Sequence, residues 1–190
     1  MVKLLMDRIL SEGRALSDSV LKVDGFLNHQ VDADLMQEVG RDFYEYFKDY
    51  GITRVLTIES SGIAPAVMLG YVMQLPVVFV KKKVPKTLDN FYIRDVHSFT
   101  KDRTYTVSIS ADYLTPEDHI VFIDDFLAYG NAARGVIDLC AQSGSTIEAM
   151  GFVIEKALQG GGDTLRSEGY DIISLATVER LEDGKIFLKD

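Results

Sequence analysis

The feature that most constrains this chain is an alternation of two kinds of segment. RVLTIE (54–59) is followed by SSG, by the helix-like stretch IAPAVMLGYVMQ (63–74) and by PVVFV. HIVFID (119–124) is followed by GNAARGVIDLCAQSG (130–144), and then by TIEAMGFVIE (146–155) and GYDIISLATVERL (169–181). Strand, helix and strand in succession imply crossover connections, and these make a parallel sheet. The expected class is α/β: a central, mostly parallel sheet flanked by helices.

The remaining segments fit around that sheet. Leu4, Leu5, Ile9 and Leu10 fall at helical intervals within residues 2–12. Asp32 suits the N-cap of a helix from Ala33 to about Tyr50, with Leu35, Met36, Val39, Phe43 and Phe47 on one face and Gly51 as its stop. Residues 16–31 read as irregular or extended. Residues 82–103 carry many charges and little periodicity, whereas YTVSIS (105–110) alternates like a half-exposed strand. Gly160–Gly162 reads as a turn or mobile hinge. One domain is expected, with a core over about 31–155 and a small hood lobe from about 1–30 and 156–190.

Composition removes several functional classes. The net charge of -9 repels nucleic acid and anionic membrane. The single cysteine, Cys140, excludes an intrachain disulfide and reads as a buried thiol in VIDLC. No apolar run approaches the ~20 residues of a membrane span. MVKLLMDRILSEG has charges through its apolar stretch and lacks the pattern of a secretory signal. A cytoplasmic protein is expected. His97 and His119 have no partner at metal spacing, and His29 suits a structural role.

The chemistry concentrates in HIVFIDDFLAYGNAARG (119–135). A buried strand delivers Asp124 and Asp125 at its carboxyl end, where open α/β sheets bind ligands. The loop Ala128, Tyr129, Gly130, Asn131, Ala132 then opens a helix. Small residues let backbone amides approach an anion, and the helix N-terminus adds partial positive charge. The segment therefore offers a phosphate cradle beside two carboxylates, which suit hydroxyls or a metal. Two solvated aspartates before an ordinary turn would be the plainer account. Glu59, Ser60, Ser61 and Gly62 form a second small-residue loop after a strand, suited to sharp turning against an anion. Lys81, Lys82 and Lys83 form a cationic run able to stabilise a departing anion.

Apolar strand, two acids, two apolar residues and a small-residue loop resemble the phosphoribosyl-pyrophosphate signature of the type I phosphoribosyltransferases. That resemblance implies ribose hydroxyls on Asp124 and Asp125, and the 5′-phosphate on Ala128–Ala132. It implies pyrophosphate on Ser60, Ser61, Gly62 and the lysines 81–83, and a non-proline cis peptide near Glu59–Ser60. It also implies a mobile loop over residues 82–103, magnesium brought with the diphosphate, and a homodimer. LSDSVLKVDGFLNHQ, TIESSGIAPAV, VHSFTK and VIEK resemble, more narrowly, the xanthine phosphoribosyltransferases of bacterial purine salvage. By that resemblance Leu21, Asn28 and Lys156 contact the base, and Phe126 flanks its ring. The first loop residue is Ala128, where hypoxanthine and guanine transferases usually carry an aspartate. Xanthine, the more acidic base, needs less help in losing a proton.

Two alternatives share the family. One is a transferase for guanine, hypoxanthine or adenine. The other is a purine regulator that senses phosphoribosyl pyrophosphate, for which a preceding DNA-binding domain and a basic face are expected. Only a short segment precedes the similarity here, and the net charge is -9.

Overall fold

The computed structural model describes residues 3–83, 90–98 and 103–189. Helix α1 (Lys3–Glu12) leads to two short strands, β1 (Arg14–Ala15) and β2 (Leu21–Lys22), and a π-helical turn over Asp24–Asn28. The first part of 16–31 is irregular, with strand only at Leu21–Lys22, within the expectation of irregular or extended chain; the helical turn lies outside it, and its Phe26 and Leu27 are buried. Helix α2 (Ala33–Phe47) is capped by Asp32, whose carboxylate accepts the Leu35 amide at 3.0 Å. Its five expected apolar residues are buried, and it ends slightly before the expected stop. Arg8 of α1 pairs with the same Asp32, tying the first helix to the start of the second.

The alternation then runs through β3 (Arg54–Ile58), α3 (Ile63–Met73) and β4 (Val77–Val80). Strands β5 (Phe91–Ser98) and β6 (Arg103–Ser110) follow, and then β7 (His119–Leu127), α4 (Asn131–Ser143) and β8 (Thr146–Lys156). Helix α5 (Gly161–Ser167), β9 (Ile172–Glu182) and β10 (Lys185–Leu188) complete the described chain.

Six strands form the main sheet in the order β10-β9-β8-β7-β3-β4. All its pairings are parallel except β10 with β9. After β4 the chain returns to the far side of β3, so the order reverses between β3 and β7. Ligands bind at such a switch point, outside the carboxyl ends of the strands. Strand β7 is buried on both faces. Val121 and Ile123 join the apolar cluster of α1, α2 and α3, while Ile120 and Phe122 join that of α4 and the β5–β6 hairpin.

Two expectations are corrected. Much of 82–103 is strand: Phe91–Ser98 pairs antiparallel with Arg103–Ser110 in continuous register. Only Val96 among the described side chains of β5 is buried, so the strand carries charges and shows little apolar pattern. Residues 84–89 and 99–102, where the rest of the expected mobile loop falls, lie outside the described residues. The Gly160–Gly162 run is no free hinge, because Gly161 and Gly162 begin α5 and are buried. The segment beyond residue 156 also supplies β9, which pairs with β8 from Met150 to Lys156. Residues of α1 and of β9 and β10 share one apolar cluster.

Gly151 lets the Phe43 ring rest directly on β8. A Cβ there would lie 2.7 Å from Ile123 Cδ1 and 2.8 Å from Phe43 Cε1. Gly151→Val is expected to lower stability by about 1–3 kcal/mol through overpacking. Urea denaturation should show a lower midpoint at unchanged slope.

Candidate functional site

Parallel pairing on both sides fixes where β7 ends: Asp124 lies opposite Phe152 of β8, and Phe126 opposite Ile154. Asp124 is 6% exposed. One of its oxygens accepts the Asp125 amide at 3.0 Å. Burial, then the neighbouring Asp125 charge, push the Asp124 carboxyl well above the usual carboxylate range. The Asp125 amide and the Lys82 cation pull the other way without prevailing.

Beyond Leu127 the chain turns through Ala128, Tyr129 and Gly130 into α4. Gly130 is the N-cap with φ +82°, a conformation suited to glycine, and no side chain caps the helix. The first amides of α4 have no intrahelical acceptor. They open on a cavity of about 140 Å³ lined by Asp124, Phe126, the Leu127–Ala133 segment and Phe152, with His97 and Tyr105 from the hairpin. The expected carboxylate and the expected phosphate loop thus share one cavity.

The loop after β3 meets this site from the neighbouring strand. The Glu59–Ser60 peptide bond is cis, as expected. Gly62 packs so closely that a Cβ would lie 2.4 Å from Thr57 Oγ1 and 2.6 Å from Asp124 Oδ1. Ser61 is half-buried and Ser60 exposed. Glu59 was not read as a functional side chain, yet its carboxylate accepts the Lys82 amide at 2.6 Å, while its own amide donates to Val80 O at 3.0 Å. The loops after β3 and β4 are therefore laced together.

The lysine run divides by direction. Lys82 Nζ lies 5.7 Å from the Tyr105 ring centre, and its charge is felt at Asp124. Lys81 Nζ lies 6.0 Å from the Phe79 ring centre, and its backbone bridges to Ser108. The Lys83 carbonyl accepts the Ser108 hydroxyl at 2.8 Å. Of the three, Lys82 is the one whose charge bears on Asp124.

The residues expected at the base are brought together in part. Lys156 Nζ lies 5.4 Å from the Phe126 ring centre and donates to Ser19 O at 3.2 Å. Burial pushes the Lys156 ammonium below the usual lysine range, and Asp125 partly offsets this. Leu21 is buried in the apolar cluster against which Phe126 packs. Asn28 ends its helical turn exposed. His97 and Tyr105 line the cavity without any local motif to mark them: the His97 strand has little apolar pattern, and the alternation of YTVSIS shows a strand but not what its Tyr105 faces. Burial, then the Asp124 charge, raise the Tyr105 hydroxyl. His119 pairs with Glu148 at 2.6 Å, away from the cavity lining, and no cluster of three or more metal-ligating side chains occurs among the described residues.

This switch-point cavity, bordered by Asp124 and an uncapped helix with Asp125 outside its lining, sits in the fold of the type I phosphoribosyltransferases. Solved adenine phosphoribosyltransferases share that fold. The one from Thermoanaerobacter pseudethanolicus has a TM-score of 0.68 at 22% identity, covering 77% of this chain and 82% of its own. The one from Saccharomyces cerevisiae has a TM-score of 0.71 at 15% identity, covering 92% and 99%. No family model matches the chain. The xanthine phosphoribosyltransferase of Pseudomonas aeruginosa is 52% identical over 188 residues, 98% of this chain and 99% of that protein. That of Streptococcus pneumoniae strain P1031 is 49% identical over 190 residues, 100% of this chain and 98% of that protein. The chain belongs to the xanthine phosphoribosyltransferase family.

The raised Asp124 carboxyl yields a prediction with a definite sign. A carboxyl whose folded-state pKa lies above its unfolded value near ~3.9 destabilises the fold when ionised. At pH 8 Asp124→Asn is therefore expected to be more stable than the parent. The difference should shrink as pH falls through the raised value and vanish below the unfolded one. Thermal unfolding of both proteins from pH 8 to pH 4 measures it; a less stable variant at pH 8 means a carboxylate already well paired.

Proposed function

We propose that the protein transfers the phosphoribosyl group of 5-phosphoribosyl 1-pyrophosphate to xanthine, releasing xanthosine 5′-monophosphate and pyrophosphate. The observation that carries this reading is the convergence at the ends of β7 and β8. Asp124 and the open N-terminus of α4 border one cavity, and Lys156 lies over Phe126 beside it. Family membership supports the choice of base.

In this reading the amides of Ala128–Ala132 hold the 5′-phosphate. Asp124 and Asp125 accept hydrogen bonds from the ribose hydroxyls, which compensates the cost of burying Asp124. Ser60, Ser61 and Gly62 receive the pyrophosphate group, with Lys82 facing it and Lys81 and Lys83 at the margin of the same basic edge. The bond from ribose C1 to pyrophosphate oxygen breaks, and a bond from C1 to an imidazole nitrogen of the base forms. Positive charge developing on the ribose lies near the acid pair, and negative charge on the leaving group meets Lys82. Positioning and water exclusion supply much of the rest. Ala128 offers no side-chain base, which suits a purine that arrives partly ionised.

Lys156 is a donor without acceptor capacity and matches the carbonyl oxygens of an oxopurine. Leu21 and Phe126 would supply apolar walls, and Asn28 a second polar edge. Magnesium would enter with the diphosphate, held mainly by phosphate oxygens and water, and would neutralise leaving-group charge. The paired carboxylates of Asp124 and Asp125 are hard oxygen donors that suit such a hydrated cation. We also infer a cytoplasmic homodimer. No helix among the described residues is long and apolar enough to cross a membrane. Val67, Phe79 and the 78% exposed Tyr71 offer apolar surface on α3 and β4, adjoining the lysine run. The net charge of -9 argues against a nucleic-acid partner.

Pyrophosphate release measured with each base in turn tests the assignment. The expected order of kcat/KM is xanthine first, guanine and hypoxanthine weaker, adenine last. Lys156→Ala should lower activity on all the oxopurines. A tenfold preference of the parent for guanine over xanthine, or any preference for adenine, would overturn the base assignment. The double variant Asp124→Asn with Asp125→Asn should stay folded but lose phosphoribosyl-pyrophosphate affinity, by roughly 1.5–3 kcal/mol for each charge-assisted bond. Calorimetric titration reads this directly, and unchanged affinity would refute the hydroxyl role.

A further inference from the structure

One buried charged group has no part in the chemistry above. Glu155 is the penultimate residue of β8 and is only 3% exposed. It accepts both terminal nitrogens of Arg166, at 2.8 and 2.7 Å, and the Ser174 hydroxyl at 2.5 Å. Burial pushes its carboxyl up, but the Arg166 and Ser174 hydrogen bonds outweigh that and hold it below the usual range. A buried carboxylate with a two-pronged arginine is a costly arrangement to keep unless it fixes a geometry.

The geometry it fixes is that of α5. Gly162 lies so close to the ion pair that a Cβ would fall 1.9 Å from Glu155 Oε1 and 2.7 Å from the Arg166 guanidinium. The preceding residue, Gly161, donates its amide to Ala128 O at 3.1 Å. A Cβ on Gly161 would lie 2.2 Å from that oxygen and 2.6 Å from the Tyr129 carbonyl carbon. Leu165 of the same helix supports Gly130, whose Cβ would lie 3.2 Å from Leu165 Cδ1. A continuous line of contacts therefore runs from Glu155 through Arg166 and α5 to the underside of Ala128–Gly130.

We propose that Glu155 and Arg166 are positioning residues for the phosphate loop: their ion pair clamps α5 beneath Ala128–Gly130 and holds the loop amides in their binding arrangement. Lys156, the next residue, faces the other side of the sheet, toward Ser19 and Phe126. The clamp thus acts on the phosphate side of the site and not on the base side. The assignment of this loop to the 5′-phosphate rests on the function proposed above; the clamp itself does not.

Two measurements on the protein test it, using Glu155→Gln and Arg166→Met, with Arg166→Lys as a variant that keeps the charge but loses the two-pronged geometry. Hydrogen exchange without ligand should show faster exchange of the Gly161 amide and of residues 128–132, with β7 and β8 unchanged. Steady-state kinetics should show KM for phosphoribosyl pyrophosphate rising at least roughly tenfold, as small displacements of binding groups do. KM for xanthine should move little, and Arg166→Lys, which keeps the charge and at most one of the two bonds, should show a smaller rise than Arg166→Met. Unchanged exchange in the loop, or KM values for both substrates rising together, overturns the proposal. Faster loop exchange with an unchanged KM for phosphoribosyl pyrophosphate upholds the clamp, and instead overturns the assignment of the loop to the phosphate. Should the first two variants fail to fold, Arg166→Lys and Ser174→Ala carry the same comparison, with smaller shifts in the same direction.

Discussion

Strand β7 is held on every side. Parallel neighbours bond both of its edges, and two separate apolar clusters cover its faces. Pairing with β3 ends at Phe122, and β8 alone continues to Leu127, which makes β8 the rigid frame that sets Asp124 opposite Phe152. That rigidity keeps a carboxylate in a setting that disfavours its charge. The same strand end sets where the chain must turn, and so where the first amides of α4 point. Asp124 and the first amides of α4 are separated by a few residues of chain, and their relative position follows from the sheet.

Around this fixed centre the other groups arrive by different routes. Glu59 spends its carboxylate on the Lys82 amide, so a loop that could wander is tied to the end of the adjacent strand. Gly62 is pressed against Thr57 and Asp124. Lys156 reaches the Ser19 carbonyl, which ties the end of β8 to the segment before β2. The site is assembled from strand ends lying side by side in space and far apart in sequence.

Much of this was legible in the sequence, and the illegible parts have physical reasons. The alternation of apolar runs and helical stretches marked β3, α3, β4, β7, α4, β8 and β9; the central strands β3, β7 and β8, covered on both faces over most of their length, write themselves as the clearest apolar runs. The acid pair and its loop stood out because they follow such a strand directly. The hairpin was hidden: FYIRDVHS buries little besides Val96 and pairs with its partner strand by backbone hydrogen bonds, which leave no mark on composition. The choice of Lys82 among three adjacent lysines depends on where Glu59 pins the backbone, a contact across 23 residues. Gly160 turns the chain at φ +71°, as one reading of Gly160–Gly162 expected, but the hinge reading fails because glycine signals both freedom and close approach. Here Gly161 serves the second purpose, and its partner Ala128 lies far upstream.

The alternation of side chains along β8 has a consequence for what the gene can tolerate. Glu155 and Lys156 are consecutive and point to opposite faces, one to the clamp under α5 and the other to Phe126. A single codon inserted or deleted within the strand ahead of them would exchange the two faces if pairing with β7 were kept. A deletion would set a cation against the Arg166 guanidinium, and an insertion would set a carboxylate beside the Phe126 ring. Length variation in this family should therefore be sparse inside β8, even at positions where side-chain identity is free to drift, and should collect in turns such as the one between β9 and β10.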